Sequence, residues 1–184
     1  MKVLAISGSL RAVSVNSALL RAAARVSPAD ISVHVYAGIG ALPLFNPDLE
    51  SQVPDAVVKL RDAVASADAL IFASPEYAHG VTGVMKNTLD WLVSFEPFAY
   101  KPVAIFNASP RSTYADPALR ETLRTMSANL VEAACFSAQI VGARMGEDDM
   151  VNSAAMSQAI SAALQALKDF TAVEQPRNAS FPLK

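Results

Sequence analysis

Short apolar runs recur along the chain, each followed by a polar loop and then by a stretch whose apolar residues return at helical spacing. Lys2–Ser7 is short, continuous and contains Val and Ile, which predicts a buried strand. From Val15 to Val26, Leu19, Leu20, Ala23 and Val26 share one face of a 3.6-residue period, which predicts a helix. Ser27-Pro28-Ala29-Asp30 breaks it. In 31–36, Ile31, Val33 and Val35 alternate with Ser32, His34 and Tyr36, the pattern of a half-covered strand with His34 on its outer face. Residues 54–66 predict a helix with proline in its first turn and Val57, Val58, Leu60 and Val64 inward. Ala69–Ala73 is apolar throughout, as a centre strand covered on both faces should be.

The second half repeats the alternation. Residues 81–94 predict a helix with Met85, Leu89, Leu92 and Val93 inward, and Pro102–Asn107 a strand. Residues 118–133 predict a helix carrying Leu119, Leu123, Met126 and Leu130. The mixed segment 135–141 reads as an edge strand, 142–150 as a charged loop and 152–170 as the last helix. The expected architecture is α/β: a doubly wound, five-stranded parallel sheet with helices on both faces, in one domain over residues 1–172, with 173–184 as a tail. Such a sheet binds ligands at the carboxyl ends of its strands, near a topological switch point. Three loops belong there, 8–16, 74–80 and 107–114. The connection 37–53, with two glycines and two prolines, is longer than usual and so is expected to cover a ligand or a subunit contact.

Composition narrows the function classes. With 52% hydrophobic and 17% charged residues in 184, the chain suits a compact globular domain. A net charge of −2 lacks the basic surface of a nucleic-acid binder. The single cysteine, Cys135, allows no internal disulfide and no CxxC or zinc cluster, so no metal is expected and the compartment should be reducing, hence cytoplasmic. No signal peptide is visible, and no apolar run approaches the ~20 residues that span a membrane.

The loop G-S-L-R-A-V-S-V-N, from Gly8 to Asn16, sits between a strand and a helix, the order a phosphate site needs. Free N–H groups of the loop and of the first helical turn converge there, and the helix dipole adds positive charge. Ser9, Ser14 and Asn16 add hydrogen-bonding side chains, and Arg11 adds a full charge. An ordinary turn with Ser14 as N-cap and Arg11 in solvent accounts for these nine residues equally well. The loop has neither the G-x-G-x-x-G nor the Walker spacing, and no G-x-S-x-G elbow, so a monophosphate fits better than a dinucleotide or a triphosphate.

Ser74–Trp91 is more specific. P-E-Y-A-H-G-V-T-G-V-M-K-N-T-L-D-W resembles the P-E-Y-N-x-S-x-P-G-x-L-K-N-x-x-D-W stretch of the NADPH-dependent FMN reductase family. G-S-L-R-A-V-S-V-N is similar to that family's G-S-x-R-x-x-S-x-N phosphate loop, and L-P-L-F-N-P-D, from Leu42, to its L-P-x-[FY]-[DN]-x-D segment. Order and spacing are kept, and the resemblance covers about residues 1–170. It implies a flavodoxin-like sheet of order 2-1-3-4-5, FMN as cofactor and NADPH or NADH as electron donor. It implies that Ser9, Arg11, Ser14, Val15 and Asn16 surround the FMN phosphate, and that Pro75, Glu76, Tyr77 and Ala78 line the ring. It also implies a homodimer or homotetramer. Three departures stand out: Ala78 where the family usually has Asn, Gly80 for Ser and Thr82 for Pro. The third loop, N-A-S-P-R-S-T-Y, replaces a glycine-rich run; the resemblance implies that Ser109, Arg111 and Tyr114 meet the flavin edge, and of these Ser109 is carried over as a flavin contact.

The resemblance implies electron transfer from a nicotinamide cofactor to a quinone, flavin or other small oxidant. No catalytic acid or base is required of the protein, and one shared pocket implies ping-pong kinetics. A flavodoxin-type carrier or a flavin-binding sensor is the alternative, although carriers tend to be strongly acidic. A flavin-free hydrolase using Ser9 or Ser74 with His79 has no motif behind it.

Overall fold

The computed structural model describes residues 1–179. Its first half contains β1 (Lys2–Ser7), α1 (Val15–Val26), β2 (Ser32–Tyr36), α2 (Asp55–Ser66), β3 (Ala69–Ala73), a small hairpin of β4 (Glu76–Tyr77) and β5 (Gly80–Val81), and α3 (Gly83–Asp90). Its second half contains β6 (Pro102–Asn107), α4 (Ala115–Thr125), β7 (Asn129–Leu130), β8 (Phe136–Ser137), α5 (Ile140–Ala143), α6 (Glu147–Asn152) and α7 (Ala154–Ala179). The 37–53 connection holds two 3-10 turns, Ile39–Ala41 and Pro47–Ser51.

The main sheet is parallel in the order β2-β1-β3-β6, and the position beyond β6 is shared by β7 and β8. This is the expected doubly wound order, with its fifth strand broken in two. β7 pairs with the start of β6 (Pro102↔Asn129) and β8 with its end (Phe106↔Phe136). Between them the chain leaves the ladder in a 3-10 turn, Glu132–Ala134, and sinks Ala134 into the core.

Each central strand feeds both faces. Val3, Ala5, Ala69, Ile71, Ala104 and Phe106 pack with α1 and with Ile160, Leu164 and Leu167 of α7. Leu4, Ile6, Leu70, Phe72, Val103 and Ile105 pack with Val57, Leu60 and Val64 of α2, Met85 and Leu89 of α3, and Leu119 and Leu123 of α4. A period of two with helices on both sides is why these strands read as unbroken apolar runs.

Several boundaries move for identifiable reasons. Val81 pairs with Glu76 in the hairpin, so α3 begins at Gly83 and not at 81. The 118–133 helix ends at Thr125, because Ser127 takes a left-handed φ of 61°. Leu130, in helical phase with Leu119, instead lies in β7. Of the expected 135–141 strand only Phe136–Ser137 forms, and Val141 belongs to α5. Most of 142–150 is helical, and Ser153 separates α6 from α7. The helix α7 continues past residue 170, since Thr171 is buried and its hydroxyl donates to Leu167 O. Residues 180–184 of the expected tail lie outside the described residues. Val58 and Val93 are 41% and 63% exposed and turn outward, leaving i, i+3, i+7 (Val57, Leu60, Val64) as the buried stripe of α2.

The long connection is strapped to α3. Trp91 is fully buried and its Nε1 donates to Pro43 O at 2.8 Å. Asn87 donates to the same oxygen at 2.9 Å and accepts from Phe45 N at 2.8 Å. Phe45 meets the Trp91 ring edge-on at 5.0 Å. Arg61 bridges Glu50 at 3.0 Å and the Trp91 carbonyl, closing the far end of the connection. The K-N-x-x-D-W residues are thus structural: Lys86 pairs with Asp90, while Asn87 and Trp91 hold the strap. Trp91→Phe removes one strap bond and leaves a void in the core. The expected loss is about 1–3 kcal/mol, read as a lower denaturant midpoint with an unchanged slope.

Candidate functional site

The loop after β1 is pinned before it turns. Gly8 N donates to Ala73 O at 2.7 Å, and a Cβ on Gly8 would lie 2.6 Å from Ser74 Oγ, so a larger residue there would force the Ser74 and Met85 side chains to shift. Thr82 is buried; its hydroxyl donates to Gly8 O at 2.7 Å and accepts from Met85 N at 3.3 Å as the N-cap of α3. The threonine that replaces the family's proline therefore couples the first loop to the start of α3. Ser14 is the N-cap of α1 and accepts from Ser17 N at 3.2 Å. Val15 packs its side chain on the core and so offers the loop only its backbone N–H. Asn16 is 7% exposed, and its Oδ1 has no hydrogen-bond partner. A buried amide oxygen without a partner beside the N-terminus of a helix is an acceptor that a donor group of a polar ligand can satisfy.

The second loop is a hairpin, not a plain turn. Glu76 pairs with Val81 and Tyr77 with Gly80, and the two residues between them, Ala78 and His79, have φ of 49° and 59°. That is the left-handed pair of a type I′ turn, a place for Asn and Gly. Ala78 therefore holds a strained backbone where the family's asparagine would be at ease. His79 stacks on Tyr114 of the third loop, ring centroids 4.2 Å apart.

Glu76 joins the same two loops. Its carboxylate accepts from Ala115 N and Tyr114 N, both at 2.9 Å, and from Ser112 Oγ at 3.2 Å. Tyr114, the N-cap residue of α4, makes no side-chain cap bond, so Glu76 caps that helix from across the site. The backbone N–H groups of Ala115 and then Tyr114 hold the Glu76 carboxyl below the usual glutamate range, with Ser112 and His79 adding to the effect.

The three loops meet at a cleft of about 320 Å³ at the carboxyl ends of β1, β3 and β6. Of the residues singled out in the sequence, Asn16, Pro75, Glu76 and Ser109 line it. Ser14 and Val15 adjoin Asn16 at the start of α1. Ser9 and Arg11 lie on the outer part of the first loop, and Tyr77 and Ala78 are exposed on the hairpin. Ser74, Asn107, Arg111, Ser112 and Val141 also line the cleft. Of these, Val141 carries no sequence signal for the site: it is brought in when α5 begins with Ile140 N and Val141 N both donating to Ala108 O. Among the described residues no hydrogen bond joins Ser9 or Ser74 to His79; Ser74 Oγ donates to Pro75 O, and Ser9 Oγ accepts from Arg11 N. No cluster of His, Cys, Asp or Glu there could hold a metal ion. Cys135 is half-buried, burial pushes its thiol pKa up, and its Sγ accepts from Ile105 N, all marks of a structural thiol.

The family model described as NADPH-dependent FMN reductase matches residues 1–142. The chain belongs to that family. A Pseudomonas aeruginosa protein named NAD(P)H-dependent FMN reductase is 45% identical over 112 residues, which are 59% of this chain and 60% of that protein. A quinone reductase of Escherichia coli is 33% identical over 113 residues, again 59% and 60%. The chain thus spans about three fifths of the length of these curated relatives. Among solved structures, the flavoenzyme NAD(P)H:acceptor oxidoreductase FerB from Paracoccus denitrificans superposes with a TM-score of 0.78. It is 24% identical, with 94% of this chain and 97% of that one covered, and shows a shared fold. No helix among the described residues is long and apolar enough to cross a membrane.

Two outcomes follow from the hairpin. Because the Glu76 carboxyl is depressed in the folded state, its contribution is present above about pH 4.3 and is lost as pH falls through the lower folded value. Glu76→Gln should therefore lose less stability than the parent between neutral pH and about pH 3, and parallel pH–stability curves would exclude the cap. Ala78→Asn should relieve the left-handed strain and raise stability by about 1 kcal/mol in thermal or denaturant melts. An unchanged midpoint would mean the turn is not strained.

Proposed function

We propose that the chain is an FMN-dependent NAD(P)H oxidoreductase that passes electrons to a quinone, a flavin or another small oxidant. The observation that carries this reading is the buried Asn16 side chain at the N-terminus of α1, in the wall of the cleft, with its Oδ1 unpartnered. An amide offers a donor and an acceptor, so it serves a phosphate oxygen through Nδ2 or a hydroxyl through Oδ1. The residues present fit FMN: hydroxyls, free N–H groups and one guanidinium for a monophosphate, then backbone-rich loops for a flat ring. FMN, when bound, supplies the hydride and electron-transfer chemistry.

The chain's own residues bind and orient. Ser9, Arg11, Ser14 and Asn16, with the N–H groups of Val15 and Asn16, hold the phosphate, and Arg11 offsets its charge. Pro75, Glu76, Tyr77 and Ala78 border the ring, Glu76 by fixing the hairpin against the third loop, and Ser109 closes the opposite edge. No side chain is asked to carry a proton. With one cleft for both, nicotinamide and acceptor use it in turn, which gives ping-pong kinetics. The names of the Pseudomonas aeruginosa and Escherichia coli relatives support this chemistry. The net charge of −2 disfavours a carrier that docks on basic partners.

The flavin-binding unit in this reading is residues 1–172. The protein acts in the cytoplasm, which its single, half-buried cysteine supports. It works as a homodimer or homotetramer, which two strongly exposed apolar residues support: Val13 of the first loop at 78% and Leu44 of the 37–53 connection at 83%.

An absorbance titration tests the reading. Adding FMN to the protein should perturb the flavin bands, and anaerobic NADPH should then bleach them rapidly. Uptake without bleaching would indicate a carrier or sensor, and no uptake would leave only the fold in common with the family. Arg11→Ala should weaken FMN binding by about tenfold, the scale of one exposed charge-assisted hydrogen bond.

A further inference from the structure

The arginines divide by place. Arg21 and Arg25 pair with Glu147, Arg61 with Glu50, Arg120 with Asp116 and Glu132, and Arg124 with Glu132. Among the described residues Arg11, Arg111 and Arg144 make no ion pair, and of these Arg111 lines the cleft. Glu76, the one carboxylate lining the cleft, is turned into the N-terminus of α4, where three donors occupy it. Arg111 is therefore an uncompensated cation in the wall of the site.

Its root is fixed while its head is free. Arg111 N donates to Ser109 Oγ at 3.3 Å, Ser112 N to Ser109 O at 3.0 Å and Thr113 N to Arg111 O at 2.9 Å. Ser109 N is tied in turn to Asn107 Oδ1 at 2.9 Å. Binding an anion there orders one side chain and no backbone, which keeps the entropic cost small. A guanidinium so placed fits a phosphate through paired N–H groups. The monophosphate of FMN is already served by the first loop, on another strand end.

We propose that Arg111 is a specificity-determining residue that binds a phosphate of the nicotinamide dinucleotide, either the pyrophosphate or the 2′-phosphate of NADPH. This rests on the oxidoreductase reading above. The test compares wild type, Arg111→Ala and Arg111→Lys, each loaded with FMN, for equilibrium binding of NADP⁺ and NAD⁺ by flavin difference spectra and calorimetry. FMN affinity is measured separately on the flavin-free proteins, and circular dichroism checks folding.

Arg111→Ala should weaken NADP⁺ by about tenfold to a hundredfold, with FMN affinity changed by less than about twofold. Arg111→Lys, which keeps the charge and loses the fork, should fall between them. An equal loss for NAD⁺ assigns the pyrophosphate; a loss confined to NADP⁺ assigns the 2′-phosphate. Unchanged binding of both nucleotides overturns the proposal, as does a loss of FMN affinity as large as that of NADP⁺. Wild-type protein that takes up FMN but neither nucleotide overturns it while leaving flavin binding intact. Failure to take up FMN removes the oxidoreductase reading, and the proposal with it.

Discussion

A parallel sheet covered by helices on both faces has nowhere to place polar chemistry except at the ends of its strands. Here that constraint is strict. β3 is buried from Ala69 to Ala73, β1 from Val3 to Ser7, and β6 from Pro102 to Phe106. Gly8 and Ser74 follow β1 and β3 directly and Asn107 closes β6, and each starts a loop of the cleft. In the order β2-β1-β3-β6 the chain runs one way from β1 to β2 and then back across β1 to β3, so a crevice opens above β1. Position in the sheet, more than the identity of any single loop residue, creates the site.

The loops are then tied to each other and not only to their strands. Thr82 joins the first loop to α3, Glu76 joins the hairpin to α4, and Asn107 folds back on Ser109. Each tie uses a side chain to satisfy backbone N–H or C=O groups that irregular segments would otherwise expose. The result is a set of walls that need little reorganisation to accept a ligand. It also explains how the chain tolerates its departures from the family pattern. Thr82 replaces a proline's stiffness with two hydrogen bonds. Ala78 has no such compensation within its turn, and the stack of its neighbour His79 on Tyr114 is what braces that end of the hairpin.

The alternation of strands and helices and the three converging loops were legible in the sequence because burial leaves a strong pattern of apolar runs, polar loops and helical periods; the strand order came from the family resemblance. Ser14 as N-cap was legible as one reading of the first loop, since a strand–loop–helix order limits what the first turn can do; the burial of Asn16 was not, because nothing in its residue type announces it. The ends of elements were less so. Leu119, Leu123 and Leu130 keep a helical phase across a chain reversal at Ser127, because a residue can be in phase with a helix and still belong to the next strand. The hairpin was hidden by Ala78 and His79, which lack the Asn-Gly signature of the turn they make. Val141 entered the cleft through a backbone contact with Ala108, and backbone contacts between distant segments leave no trace in residue type.

Glu76 shows how a motif residue can matter without touching chemistry. In sequence it is a carboxylate in a P-E-Y turn, carried over as a residue that lines the flavin ring. In the fold its charge is spent on the two N–H groups that open α4, and those groups keep it ionised well below neutral pH. A carboxylate so held is a poor proton donor at physiological pH. It is a good anchor, and it withdraws negative charge from the cleft it borders. The wall that remains is neutral or cationic, a polarity suited to a phosphorylated ligand.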